Sequence, residues 1–255
     1  MRAESIVIMT STVGKKILVL DVGGTHVKML ATGQHQPQKF ASGKSLTPGK
    51  LVEKVQQATV GWKYECISMG YPGPVVHGRP VSEPHNLAEG WIGFDFKRAF
   101  GRPLKIINDA AMQALGSYQG GRMLFLGLGT GLGSAMIVDG RIEPLELAHL
   151  PYKKGRTYED YVGTRGLKRG RRKWRKAVAD VVEKLRAALE IEEVVIGGGN
   201  AKLLKSLPPN TRRVDNSMAF VGGFRLWGSG TADTHVNPED PERQKKQSGP
   251  DQRRE

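Results

Sequence analysis

The sequence holds a single cysteine, Cys66, among 255 residues. One thiol forms no internal disulfide and builds no cysteine zinc site, and in the strand-like stretch ECISM it reads as a core residue. Long apolar runs are missing as well. No stretch approaches the roughly 18 apolar residues that cross a bilayer, and IVIM near the start falls short of the about 7 that a secretory core needs. A cytoplasmic protein with no membrane attachment is therefore expected. Aromatics make up only 7% of the residues, so few rings are available to stack bases. Acids are scarce too: 25 Asp and Glu face 39 Lys and Arg, which leaves a net charge of +14.

That excess is concentrated. From Lys153 to Lys176 eleven basic residues face only Glu159 and Asp160. Such a block attracts polyanions through its summed field and through counterion release. Its dense part, Lys168, Arg169, Arg171, Arg172 and Lys173, is a candidate track for inorganic polyphosphate, with a solvated loop as the plainer alternative. Only Tyr152, Tyr158, Tyr161 and Trp174 accompany it, and no nucleic-acid motif surrounds them, which argues against nucleic acid as the partner.

A hydrophobic content of 38% is enough for a real core, and the length suits two small lobes around a cleft. Two glycine-rich segments about a hundred residues apart define that cleft: ILVLDVGGTHVKML over 17–30 and MLFLGLGTGLGSAMIV over 123–138. In each, an apolar run enters a glycine turn and leaves as a second β-prone run, so both read as strand, turn, strand. A Walker loop or dinucleotide fingerprint needs a helix directly after the glycines. Here a hairpin bend brings backbone amides and a Thr hydroxyl toward an anion instead. Two plain hairpins fit the same pattern, but their repetition, with Asp21 in the first, favours a phosphate cleft.

The rest of the chain alternates strands and helices. Residues 1–16 read as a flexible leader, 17–107 as an N-terminal α/β lobe and 108–227 as a C-terminal α/β lobe. The segment 228–255, rich in Pro, Gly, Gln and charge, reads as a disordered tail. Strands are expected near 17–22, 26–31, 37–41 and 65–70, and Pro48 opens a helix to about Ala58. A long Gly- and Pro-bearing loop spans 70–91. Leu104–Ile107 is a short buried strand, and Asn108 caps a helix to about Tyr118. Strands cover 122–143, an amphipathic helix runs from Arg172 to Glu190, and a strand at 193–196 precedes a helix from Asn200. A last helix ends near Trp227.

Chemistry gathers at four places. Asn108 and Asp109 stand at a strand-to-helix junction, where they serve either as a cap or as a base that the helix N-terminus keeps ionised at pH 7. ELAH (146–149) and PHNLAEGW (84–91) offer carboxylate, amide and imidazole groups suited to vicinal hydroxyls, with surface turns as the alternative. His149 as a metal ligand is weakly supported, because Glu-x-x-His has no further ligands nearby. Finally GGGN, Gly197, Gly198, Gly199 and Asn200, suits phosphate or a nucleoside, or is simply a tight turn.

Taken in order, these segments resemble the ROK family of sugar kinases, in the polyphosphate glucokinase branch. DVGGTHVK (21–28) is similar to the family's first phosphate motif, GYPGP (70–74) to its Gly-x-Pro-Gly segment and NDA (108–110) to its catalytic Asn-Asp. GTGLGSA (129–135) resembles the second phosphate motif, ELAH the Glu-x-Gly-His sugar motif and GGGN the nucleotide-side glycines. RKW (172–174) and GGFRLW (222–227) resemble the polyphosphate branch in particular. The likeness covers about 17–227. It departs from the family in lacking the cysteine-rich zinc signature, so no zinc is expected, and in Ala148, which stands where glycine is usual and is expected to alter acceptor preference. No helix-turn-helix segment precedes residue 17, which makes the family's repressors a poor guide.

The resemblance implies a two-lobed α/β fold of the actin-like ATPase (ribonuclease H-like) type. It also implies phosphoryl transfer from polyphosphate, ATP or both to the 6-hydroxyl of glucose or a related hexose. In that scheme Asp109 is the general base, and Asn86, Asn108, Glu146 and His149 hold the sugar. Gly23, Gly24, Thr25, Gly129, Thr130 and Gly131 hold the donor phosphates. Asp21 orients Mg²⁺ through water, Lys28 adds charge, and Gly197–Asn200 flank a nucleoside. A homodimer is suggested by the same resemblance. A sugar-binding sensor without turnover and a polyanion-binding protein of the same fold are the alternatives.

Overall fold

The computed structural model describes residues 14–228. The expected leader therefore lies outside the described residues except for 14–16, and the expected tail except for Gly228. The chain begins with strands β1 (Ile17–Val22), β2 (His26–Ala31) and β3 (Gln38–Ala41), then helix α1 (Pro48–Ala58), with Thr47 as its cap. Next come β4 (Cys66–Tyr71), a small hairpin β5 (Val75–Val76) and β6 (Arg79–Pro80), and helix α2 (Phe96–Phe100). Strand β7 (Leu104–Asn108) leads directly into α3 (Asp109–Ser117).

Five strands form the first sheet in the order β3-β2-β1-β4-β7, with β1, β4 and β7 parallel. All six residues of β1 are buried, as a strand covered on both faces should be, and Asp21 is the one charged residue among them. Alternate side chains go to opposite layers. Leu18 and Leu20 join Leu51, Val55, Trp91 and Phe96 on one side, whereas Ile17 and Val19 join Met112, Phe220 and Phe224 on the other.

The second half repeats the plan. Strands β8 (Arg122–Leu128), β9 (Leu132–Val138) and β10 (Arg141–Leu145) form a meander. A single 3-10 turn at Leu147–His149, the ribbon β11 (Pro151–Lys153) and β12 (Arg156–Thr157), and short helices α4 (Tyr158–Val162) and α5 (Thr164–Lys168) follow. Then come α6 (Arg171–Ala188), β13 (Glu193–Gly197), β14 (Thr211–Arg213) and α7 (Met218–Arg225). The second sheet runs β10-β9-β8-β13-β14, with β8, β13 and β14 parallel. Trp174, Val178, Val181 and Leu185 of α6 cover one face through Leu124, Leu126 and Leu128, while Ala110, Ala114 and Leu115 of α3 meet Met123 and Phe125 on the other.

Helices α3 and α7 lie between the sheets. Although late in the chain, α7 packs on β1 and β4, and the buried Ser68 hydroxyl donates to Gly223 O at 2.6 Å. The two helices approach closely at Gly116 and Gly222: a Cβ on Gly222 would stand 1.8 Å from Met112 O, and one on Gly116 1.9 Å from Met218 O. Among the described residues no helix is long and apolar enough to cross a membrane.

Two expectations need correction. No α-helix starts at Asn200; a single 3-10 turn, Ala201–Leu203, takes its place. The Asn200 side chain bonds Gly129 O instead of capping, and Pro208 and Pro209 stop any continuation. The basic segment is not a plain loop either, because α4 and α5 run through it ahead of α6, although Lys168, Arg169, Arg171, Arg172 and Lys173 are exposed to solvent as the plainer alternative has it.

Candidate active site at the meeting of the strand ends

Parallel strands deliver their C-terminal ends to one edge of each sheet. Asn108, at the end of β7, performs two tasks: its Oδ1 accepts from Ala111 N at 3.1 Å and caps α3, and its Nδ2 donates to Gly73 O at 3.1 Å, which ties the GYPGP loop to the helix start. Asn108 is thus the cap, and the Asp109 carboxylate is not needed for that task. The Asp109 carboxylate accepts from Ala110 N at 2.8 Å.

Burial pushes the Asp109 carboxyl up to about 7, and the negative charges of Asp21 and Glu146 push the same way. This reverses the expectation that the helix start holds the group fully ionised. Backbone amides of Ala110 and Asp109 itself oppose this, and the helix field adds only a few tenths of a kcal/mol to about 1, but removal of the carboxylate from water beside two others outweighs them. Asp109 feels Asp21 on β1 and Glu146 beyond β10, so the ends of both sheets converge on the start of α3.

The first glycine turn closes with Gly23 N donating to His26 O at 3.0 Å and Ser42 Oγ to Gly23 O at 2.6 Å. Asn86, from the long loop, lies over this turn; a Cβ on Gly24 would stand 2.8 Å from its Cβ, so only glycine allows the approach. Buried Asp21 is paired with Lys28 Nζ at 3.4 Å. Burial raises its carboxyl and Lys28 pulls it back down.

The second turn is braced from outside. Gly129 O accepts from Thr164 Oγ1 at 3.1 Å and from Asn200 Nδ2 at 2.9 Å, and Thr130 O accepts from Thr164 N at 3.1 Å. Leu132 N donates to the Glu159 carboxylate at 3.2 Å. In the two turns, the central amides of Gly24, Thr25, Thr130 and Gly131 have no protein partner among the described residues. These donors are available to phosphate oxygens.

Glu146 and His149 are exposed on either side of buried Leu147 and Ala148. Leu147 N donates to Ser134 Oγ at 3.2 Å, which fixes the turn under them. Ala148 is buried in the core of the second half. Gly197 ends β13, and Gly198 backs onto the Leu128 carbonyl beside the second turn. Lys168, Arg169, Arg171, Arg172 and Lys173 are all exposed on α5, α6 and the bend between them. No group of three His, Cys, Asp or Glu suited to a metal occurs among the described residues.

Glu159 and Thr164 are residues at the site that the sequence reading did not select. A signal for them exists, since Thr157-x-x-Asp160 forms a complete capping box that starts α4 and orients Glu159.

The ROK family profile matches residues 17–144. The polyphosphate glucokinase of Mycobacterium tuberculosis is 28% identical over 203 residues, covering 71% of this chain and 76% of its own. Among solved structures, the inorganic polyphosphate/ATP-glucomannokinase from Arthrobacter sp. strain KM superimposes with a TM-score of 0.71 at 24% identity, over 84% of this chain and 98% of that one. A ROK family glucokinase from Streptomyces griseus in complex with glucose and AMPPNP gives 0.66 at 15%, over 83% and 98%. The shared architecture is the actin-like ATPase fold of ROK sugar kinases. On this evidence the chain belongs to the ROK family.

Proposed function

We propose that the chain is a sugar kinase that transfers a phosphoryl group from polyphosphate, ATP or both to the 6-hydroxyl of glucose or a close hexose. The observation that carries this reading is the Asp109 carboxyl at the start of α3, between two glycine turns whose central amides are free. The activities named for the relatives above support the donor and acceptor classes.

In the proposed reaction the 6-hydroxyl gives its proton to an Asp109 carboxylate oxygen as its own oxygen bonds the terminal phosphorus. The bridging P–O bond breaks, and its electron pair leaves with the shortened donor. A carboxyl near 7 is matched to this role, because an effective base titrates close to the working pH. Most of the acceleration comes from position: aligned reactants account for roughly 7 to 11 kcal/mol of barrier, and a loose transition state asks little of the base. Asn86, Asn108, Glu146 and His149 orient the hexose, and the Gly23–Thr25 and Gly129–Gly131 turns hold the donor. Asn200 and the glycines before it border the donor from the far side. Closure of lobes 17–107 and 108–227 on the sugar excludes water.

The donor set fits Mg²⁺ carried in with phosphate better than a resident metal, since Mg²⁺ keeps several waters and takes one or two carboxylates. Asp21 is one such buried carboxylate, and Lys28 beside it adds charge toward the donor. When bound, the ion neutralises charge building on the transferred phosphoryl group.

A panel of hexoses crossed with ATP, other nucleoside triphosphates and polyphosphate tests the reading. Formation of a hexose 6-phosphate with at least one donor is expected. Thermal stabilisation by glucose without transfer from any donor would leave a sugar sensor instead.

A further inference from the structure

Between β6 and α2 the chain forms the long loop that carries Asn86, and one side chain holds this loop shut. The Glu83 carboxylate accepts from Trp91 N at 3.1 Å and from Ile92 N at 3.3 Å. Neither amide has a backbone partner among the described residues. The stretch 84–90 is thereby closed into a ring. Bonds to a carboxylate are stronger than those between neutral groups, and two of them on consecutive amides fix geometry as well as distance. No cation pairs with Glu83 among the described residues, so its partner is the loop's own backbone.

Inside the ring the chain makes a tight turn. Leu87 N donates to Pro84 O at 3.3 Å, which puts His85 and Asn86 at the two central positions. Pro84 and Leu87 are buried, whereas His85 and Asn86 are exposed, so the turn has anchored stems and an open tip. Each stem is tied down on its own side. Before the turn, Tyr71 Oη donates to Ser82 O at 2.8 Å. After it, Trp91 is wholly buried, with the rings of Tyr71 and Phe96 centred 5.6 and 5.9 Å away. Glu83 supplies the bonds that join the two stems.

The ring is fastened to the first glycine turn through a shared segment. Ala88 N donates to Leu46 O at 3.2 Å, and Ser42 N donates to Thr25 O at 3.0 Å, beside the Ser42 bond to Gly23 O. Residues 42–46 therefore hold the loop at one end and the glycine turn at the other. The close approach of Asn86 to Gly24 completes this circuit. A binding group displaced by about 1 Å can lose as much as about 10²-fold in effect, so the closure of the ring matters to whatever Asn86 holds.

We propose that Glu83 is a positioning residue for the hexose: its clamp on Trp91 and Ile92 sets where Asn86 stands over the first glycine turn. The proposal rests on the kinase reading above and adds to it a residue that acts on the sugar through Asn86. Release of the clamp lets the Pro84–Leu87 turn shift as a unit, and the sugar loses a contact that it makes equally before and during transfer. A loss of that kind raises KM and leaves kcat.

Glu83→Ala is expected to raise KM for the best hexose of the panel at least about 10-fold, with kcat within about 3-fold and KM for the donor within about twofold of wild type. Glu83→Gln keeps one acceptor oxygen and should raise the hexose KM by about 3-fold. Glu89→Ala removes the same charge from an exposed position on the same loop and should leave every constant within about twofold. A merely structural role would lower the melting temperature and the amount of active enzyme with the hexose KM unchanged, and that result overturns the proposal. The double variant with Asn86→Ala is expected to show the hexose KM of Asn86→Ala alone, within about twofold. Losses that multiply would place the action of Glu83 elsewhere and overturn the proposal too.

Calorimetric titration of the hexose separates the clamp from the kinase reading. If no donor yields a sugar phosphate yet the hexose Kd follows the same pattern across these variants, the kinase reading fails and the clamp stands. Transfer by wild type with the pattern absent keeps the kinase and removes the clamp, and the absence of both transfer and hexose binding removes both. Where melts show Glu83→Ala to be unfolded, Glu83→Gln carries the comparison, and an unchanged hexose KM in that variant overturns the clamp.

Discussion

Asp109→Asn is expected to lower kcat by about 10²- to 10⁴-fold, the range for loss of a positioned general base, while KM for sugar changes little. The same substitution is expected to stabilise the protein at pH 8. The Asp109 carboxyl titrates near 7 in the folded chain and near 3.8 when free, so the folded state holds its proton over a range where the unfolded state has released it. The group's stabilising contribution is full below about 4 and is lost as pH rises through about 7. Asparagine carries no such penalty. The Tm of the variant should match wild type near pH 4.5 and exceed it at pH 8, by about 2–4 °C for each kcal/mol relieved. Wild-type kcat/KM should correspondingly rise from pH 5.5 to 8 with a midpoint near 7, because the ionised form is the base. Melts without a pH-dependent gap, or a flat pH-rate profile, would remove Asp109 from the role.

The second large effect concerns the contact between α3 and α7. Gly222→Ala places a methyl 1.8 Å from Met112 O and 2.9 Å from Gly116 N, and neither atom belongs to a side chain that can rotate away. The helices must separate. Separation also strains Arg225, whose guanidinium donates to Leu115 O, Gly116 O and Tyr118 O at 2.9 to 3.0 Å. Overpacking of a tight core costs about 1–3 kcal/mol or more. A loss of roughly 3 kcal/mol lowers Tm by about 6–12 °C. Gly49→Ala in α1 is the control: nothing lies within 4 Å of its Cβ position, so it should be neutral or slightly stabilising. Because α3 begins at Asp109, Gly222→Ala should also reduce kcat at temperatures where it remains folded.

Much of this architecture was visible in the residues alone, for physical reasons. The strand Ile17–Val22 and the hairpins after it are continuous apolar runs broken by glycine, and α1 and α3 carry Thr47 and Asn108 at their starts. Such signals are local and survive in any context. Other features were decided at a distance. Charge dominates 153–170, so the two five-residue helices there have no apolar period to show; they form because Thr157 and Asp160 cap one and Thr164 grips the glycine turn. The Asp109 carboxyl was expected to be an ordinary acid because sequence reveals its helix start and not the carboxylates of Asp21 and Glu146 brought up to it. Likewise GGGN reads as a helix start until Asn200 is seen spending its amide on Gly129 O.

The position of α7 has a consequence for biosynthesis. The strand it shelters is made some two hundred residues before Phe220 and Phe224. At about 5–20 residues per second, the interval is roughly 10 to 40 seconds. For that time Ile17 and Val19, and for somewhat less Leu30 and Cys66, lack the aromatic cover they have in the finished molecule. Such exposed apolar surface is prone to aggregation, so the yield depends on how quickly translation delivers the closing helix.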